Sequence, residues 1–587
     1  MKTKIYITIF FLTLSLTAFG QFQMNSGGAN EYYHDLNTDI INDNSNDLVI
    51  AGNLFDANFS TQLMVLFRKS QNGTTVWEHN YVSPGGPIVR VLDVVNYFDK
   101  IFATGYIELN GPGTRTTFIA DINAVNGLVT NAFFYDVLTP PMNSQGLKII
   151  VSNSDADGDG VADLGLVVGG YFSNCVPINT NGSTCTNLGF VLRTDFNLNT
   201  IWMIELDNNN TTTGNFDYDF INGITETPTG FFLTGSVVGI PMAGVPDQQG
   251  VLAHKIDFMG NFVWDGSYIF GNANDVSVDA YYDTASSQIF MLANYSQTHY
   301  FGVTVYNDAT GVINNASSWY VTDFNDLNTY AFKLTESITN SANLVISGYD
   351  RDQVWQDALG NPITGQSNIF IYEFDKSTGA QVGQYIQYLV PHIEHSPEEL
   401  NFWSLQMPLI YYPDMSYQYT NNDGTGTFYF HVGYRTIPSG ETWVESLSTN
   451  ATLQNVCINL RKTLTLNPLL YTPIAATSGF VPYSEGPIVL NANPMTPLDR
   501  DCDDTILSII NPQGNLWKLY PNPCKELVYV TSETEVIYTL FDEMGRKIDS
   551  GSVSRDKPIQ VSHLSKGIYF VSLINAYSSG TIKFVKD

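Results

Sequence analysis

The stretch DADGDGVADLG, Asp155–Gly165, sets four aspartates at alternating or near-alternating positions with glycines between them. Asp155, Asp157 and Asp159 alternate with Ala156 and Gly158, Gly160 supplies a sharp turn, the carbonyl of Val161 follows, and Asp163 comes two residues later. Carboxylate and carbonyl oxygens at this spacing are hard ligands that suit Ca2+. The expectation is a structural Ca2+ site made by Asp155, Asp157, Asp159, Val161 and Asp163. The plainer alternative is a solvated Asp/Gly turn.

Other chemistry is sparse. The sequence holds no GxSxG, HExxH, phosphate-binding loop or dinucleotide fingerprint. His392–Glu399, HIEHSPEE, clusters two His and three Glu, but reads as an exposed insertion. Paired carboxylates for glycoside hydrolysis cannot be singled out among 57 acidic residues. No catalytic motif is found, and the reading leans away from an enzyme. The formal net charge of −31 repels phosphate backbones and excludes nucleic acid as a partner.

The N-terminus sets the compartment. Lys2 and Lys4, the apolar run Ile5–Thr17 and the Ala18-Phe19-Gly20 site read as a cleaved signal peptide over residues 1–20. The run is shorter than the roughly 20 residues of a membrane span, and no transmembrane segment is expected in the mature chain. Five cysteines in an exported chain are disulfide candidates. Cys175 and Cys185 bracket one short loop and are the expected pair. The pairing of Cys457, Cys502 and Cys524 stays open.

The elements that must position these residues repeat. Short strands ending in glycine recur as LVIAG (to Gly52), IFATG (to Gly105), LVVGG (to Gly170), FFLTG (to Gly235), LVISG (to Gly348) and FHVG (to Gly433), with IFMLAN, Ile289–Asn294, as a degenerate copy. After each comes an alternating strand and a turn close to Asp/Asn-x-x-Gly, and in the best copies a tryptophan: Trp77, Trp202 and Trp264. These tryptophans are read as packing residues. SQNGTTVW, Ser70–Trp77, only faintly resembles a sialidase Asp box and is read as one copy of the turn. A further strand precedes each glycine strand. The fold expected is all-β: a β-propeller over residues 21–466, with seven four-stranded blades of roughly sixty residues each. A strand from NEYYHDLNTDIIN, Asn30–Asn42, is expected to close the ring. Residues 467–514, rich in Pro, Ser, Asn and Asp, read as a linker or closing segment. Aligned on the repeat, the acidic stretch falls in the tight turn before LVVGG. It resembles the calcium loops of FG-GAP and integrin-type propeller blades or of thrombospondin type 3 repeats. The bidentate Glu of an EF-hand is missing, and Leu166 stands in its place.

Residues 515–587 carry their own strand pattern, expected to form a small antiparallel β-sandwich. LYPNP (Leu519–Pro523), LFDEMGRKI (Leu540–Ile548), VSHLSKGIYFVSL (Val561–Leu573) and the terminal TIKFVKD follow in order. Together they resemble the type A C-terminal sorting domain of the Bacteroidetes type IX (Por) secretion system. That resemblance implies export across both membranes, the type IX machinery as partner, and a secreted or cell-surface product. The function expected is binding or adhesion, to surface polysaccharide or to protein, through variable loops on a rigid scaffold. The alternative is a secreted polysaccharide-degrading hydrolase or lyase.

Overall fold

The computed structural model describes residues between Gln23 and Asp587; the leading 1–22, the segments 390–417 and 502–518, and a number of shorter connections lie outside the described residues. The signal-peptide reading, the HIEHSPEE cluster, Cys457 and Cys502 therefore fall outside them. The chain forms two compact units, Met1–Arg500 and Asp501–Asp587. Both are all-β, and no helix occurs among the described residues.

In the first unit, seven sheets share one plan: four antiparallel strands, in sequence order in all but the seventh, then one short outer strand from far along the chain. The first sheet runs Tyr32–Ile40, Leu48–Phe55, Gln62–Lys69, Thr75–Val82. The second runs Val89–Tyr97, Lys100–Glu108, Arg115–Asn123, Val129–Val137. The third runs Asn143–Ser154, Asp163–Ile178, Gly182–Asp195, Thr200–Asp207. The fourth runs Phe220–Thr227, Gly230–Gly239, Gln248–Ile256, then Phe262–Asp265 and Tyr268–Ile269. The fifth begins at Asp275–Asp283 and ends at Trp319–Val321; the sixth begins at Thr329–Glu336 and ends at Tyr385–Leu389. The seventh combines Gln418–Thr420, Phe428–Thr436 and Thr442–Asn450 with the N-terminal Gln23–Ser26. The strand that completes this last sheet is thus Gln23–Ser26. The segment expected for that role, Asn30–Asn42, supplies the first strand of the first sheet instead.

The outer strands come from residues 458–501. Ile458–Lys462 joins the sixth sheet, Leu466–Pro468 the fifth, Thr472–Pro473 the fourth, Thr477–Phe480 the third, Tyr483–Pro487 the second, Asn491–Pro494 the first and Arg500–Asp501 the seventh. This strap visits every sheet in the reverse of chain order. It carries Pro468, Pro473, Pro482, Pro487 and Pro494, residues that cannot donate to a further strand and so blunt an exposed edge. Leu469 and Leu490 anchor it in the cores.

Consecutive sheets bury their faces against each other, because one sheet alone leaves both faces wet. Val49, Met64 and Leu66 of the first sheet share a core with Val91, Ala103 and Phe118 of the second. Val191 and Ile204 of the third share one with Leu233 and Leu252 of the fourth, and Phe301 of the fifth shares one with Ile346 and Phe370 of the sixth. The first strands of successive sheets lie against one another, and Gln418–Thr420 of the seventh lies against the first strands of both the sixth and the first.

Polar clasps fix this stacking. In five of the first strands a bulge sits at an equivalent place, such as Val91/Asp93 and Ser277/Asp279. Such a bulge re-aims the side chain that follows it. Asp93 accepts from Ile149 N at 2.7 Å and pairs with Lys148 at 2.9 Å; Asp279 accepts from Leu334 N at 2.8 Å and pairs with Lys333 at 3.0 Å. Burial works against the Lys148 ammonium, but Asp93, with Asp279 and Asp39 behind it, outweighs this and holds its pKa above the ordinary lysine value.

At the outer side, each tryptophan of the repeat reaches the next sheet. Trp77 Nε1 donates to Ala124 O at 3.0 Å, Trp202 Nε1 to Phe258 O at 3.2 Å and Trp264 Nε1 to Asp308 O at 2.7 Å. All three rings are buried, as the packing reading requires. The turn glycine of the following sheet lies under the ring: Gly127, Gly260 and Gly311, with Gly379 under Trp319. The second sheet lacks the tryptophan, with Asn131 in its place; there Tyr135 OH donates to Leu198 O at 2.6 Å, and Leu198 takes the glycine's left-handed conformation at φ 73°.

The second unit is a sandwich. A three-stranded sheet (Leu519–Tyr520, Leu527–Val530, Ile559–Gln560) and a four-stranded one (Lys547–Val553, Val536–Asp542, Gly567–Ile574, Ser579–Lys586) close over one core.

Candidate functional site

The acidic loop joins the first two strands of the third sheet, closed at its base by the pair Ser154 and Asp163. Its shape follows from short polar side chains that bind their own backbone. Asp155 accepts from Gly158 N at 2.7 Å and from Gly160 N at 2.9 Å. Asp157 accepts from Asp159 N at 3.1 Å, and Asp159 from Val161 N at 2.7 Å. Gly158 and Gly160, at φ 83° and 86°, allow the curl. The result brings one carboxylate oxygen each of Asp155, Asp157 and Asp159 within 4.8 Å of one another. An ion bound through oxygens at about 2.4 Å bridges such a span.

Asp163 and Val161, the other two expected ligands, lie outside this group of three carboxylates. The Asp163 carboxylate turns back to accept from Ala156 N at 3.0 Å, and its carbonyl accepts from the buried Arg193. Val161, expected to bind through its carbonyl, turns its side chain to solvent. The equivalent connection elsewhere is plain: Phe98-Asp99 in the second sheet, Pro228-Thr229 in the fourth.

In each sheet the first-to-second and third-to-fourth connections fall at the same end, because the strands alternate in direction. At that end large apolar side chains stand exposed on successive sheets: Phe98, Val125, Val161, Met259 and Val312. Phe98 is the bulkiest of them. It is 59% exposed, and its φ of 53° is a left-handed conformation that a bulky residue adopts only under constraint. Tyr97 packs edge-on against it at 4.7 Å, and Phe196 continues the group at 5.1 Å from Tyr97. The loops expected to vary most, after the glycine strands, lie largely outside the described residues.

The sorting module carries the second kind of site, one read by other proteins. Its leading LYPNP segment is tied to the terminal strand: Asn522 accepts from Val585 N at 2.9 Å, Cys524 N donates to Val585 O at 2.9 Å, and Asp587 N donates to Cys524 O at 2.9 Å. Cys524 is buried in the sandwich core, which accounts for a small apolar residue after the PNP turn. Burial pushes its thiol up.

A sandwich of this size with these motifs at its turns defines a secretion signal module. The family model of the secretion system C-terminal sorting domain matches residues 518–587. The protein is thus exported by the type IX system of the Bacteroidetes to the cell surface or the medium, and the module engages that machinery. No curated protein matches the chain. No helix among the described residues is long and apolar enough to cross a membrane.

Proposed function

We propose that this protein is a secreted or cell-surface β-propeller of seven blades whose role is binding, to glycan or to another protein. The blade reading is supported by seven like sheets, stacked face to face, with the first strands of the seventh and first in contact. The single observation that carries the binding role is the row of exposed apolar side chains at one end, led by the strained Phe98. An exposed aromatic kept against a conformational cost is a contact residue in search of a partner. On the same reading, the acidic loop is a structural Ca2+ site that stiffens this end of the third blade.

The test is a glycan and protein-ligand screen on the mature protein, scoring both retention and cleavage. Phe98→Ser is expected to weaken the retained ligand at least tenfold while leaving the melting temperature within a few degrees. Unchanged affinity in Phe98→Ser would move the binding surface elsewhere.

A further inference from the structure

One register position departs from the repeat. In the third strand of a sheet, beside the residue that pairs with the tryptophan, the first three sheets place Phe67, Ala120 and Leu192. The fourth places His254, fully buried, and sets Asp265 across from it where the third sheet has Met203. The first sheet already sets a buried carboxylate across this column, Glu78 opposite Phe67, but only the fourth pairs its carboxylate with an imidazole, and burying both costs stability unless the polar groups are used.

The two are joined to a third group. His254 Nδ1 lies 3.3 Å from Asp265 Oδ1, and His254 Nε2 lies 3.2 Å from Ser478 Oγ, on the strap strand Thr477–Phe480. Ser267 donates to the same Asp265 oxygen at 2.8 Å and so braces the carboxylate. With the proton on Nδ1, toward Asp265, the Nε2 lone pair faces the serine hydroxyl, the relation by which a base activates a nucleophile. Ser478 is partly exposed, whereas His254 is not, so substrate reaches the nucleophile from outside. Phe262, Val263 and Phe480, all exposed, stand beside the three polar residues in sequence, and the Phe262 ring packs on the imidazole at 5.2 Å.

We propose that Ser478, His254 and Asp265 form a hydrolytic triad for neutral carboxylic esters with an apolar acyl group, an activity beyond the binding role above. Ser478 Oγ bonds to the ester carbonyl carbon as its proton passes to His254 Nε2. The carbon–alkoxy bond then breaks, and the alcohol leaves with that proton. Water, deprotonated by His254, attacks the acyl-serine, releases the carboxylic acid and restores the hydroxyl. Asp265 is the positioning residue. The apolar side chains favour the acyl group, and the charge of −31 disfavours anionic substrates.

The probes are p-nitrophenyl acetate, butyrate and octanoate, with a fluorophosphonate label read by peptide mass spectrometry, all on the full chain. The expected result is label on Ser478, faster turnover of the longer acyl chains, and a fall of about a thousandfold or more in Ser478→Ala. Asp265→Asn is expected to lower kcat with KM little changed. Ser478→Ala changes a partly exposed residue and keeps the fold, so it decides the matter even if His254→Gln does not fold. Absence of label and of hydrolysis in the unmodified protein, or hydrolysis unchanged in Ser478→Ala, overturns the proposal and leaves the binding role untouched.

Discussion

Asp275 shows how a single buried group can govern the pH response. Its carboxylate accepts from Phe270 N at 2.7 Å, but burial dominates and raises its pKa well above the ordinary carboxylate value. A carboxyl whose folded-state pKa is raised binds its proton more tightly when folded, so its contribution favours folding as pH falls from neutral toward the unfolded value near 3.9. Asp275→Asn keeps an acceptor for Phe270 without the charge. It is expected to raise the melting temperature at pH 7 and to remove the gain on mild acidification, both visible in melts between pH 5 and 8. Asp157 tests the metal reading at the same scale: chelation is expected to lower the melting temperature by a few degrees, and Asp157→Ala to abolish that response. Insensitivity of the unmodified protein to chelator argues for a solvated turn. The acidic spacing was plain in the sequence because short polar side chains dictate the loop locally. The bond from Ala156 N to Asp163 was not legible, because the direction of that carboxylate depends on the strand pair it closes. His254 was missed because a histidine in an alternating strand looks ordinary; the signal was its column, Phe67-Arg68, Leu192-Arg193, His254-Lys255, once the turns are aligned.

At the level of elements, the recurring glycines have one physical cause. A side chain on Gly105, Gly170 or Gly235 would put its Cβ within 2.0 Å of the carbonyl oxygen of Arg90, Gln145 or Phe220, where the bulged first strand presses close. The repeat was legible because this contact recurs. The turn glycine under the tryptophan is the more sensitive position. Gly311 has φ 68°, and a Cβ there would stand 2.6 Å from two ring carbons of Trp264. Gly311→Ala therefore combines backbone strain with displacement of a buried ring, and is expected to cost about 2–4 kcal/mol, read from denaturant melts. A loss below about 1 kcal/mol would show that the ring and the turn yield freely. The register also sets Cys175 directly opposite Cys185, which a bridge between them requires. The strap was not legible as strand. Its segments are two to five residues long and broken by proline, so they carry no alternation. They become strands only because seven sheet edges are there to receive them, as where Tyr483–Pro487 pairs with Val137–Phe133.

For the whole molecule, the division into two units decides what can be removed without loss of fold. Each has its own apolar core, and the residues of the sandwich core all lie between Leu519 and Phe584. The strap that completes the seven sheets ends at Asp501, before the sorting module begins. Deleting Tyr520–Asp587 therefore takes away an export signal and leaves the edge strands in place. The melting transition of the first unit is expected to persist. The destination is expected to change, because passage of the outer membrane depends on recognition of the module by the type IX machinery. Fractionation and immunoblotting of cells making the truncated chain are expected to find it in the periplasm, with the full chain at the surface or in the medium. Fusion of Asn515–Asp587 to an inert periplasmic protein is the complementary arm, and is expected to carry that protein out. Release of the truncated chain at the normal level would mean that the first unit is exported by a signal of its own.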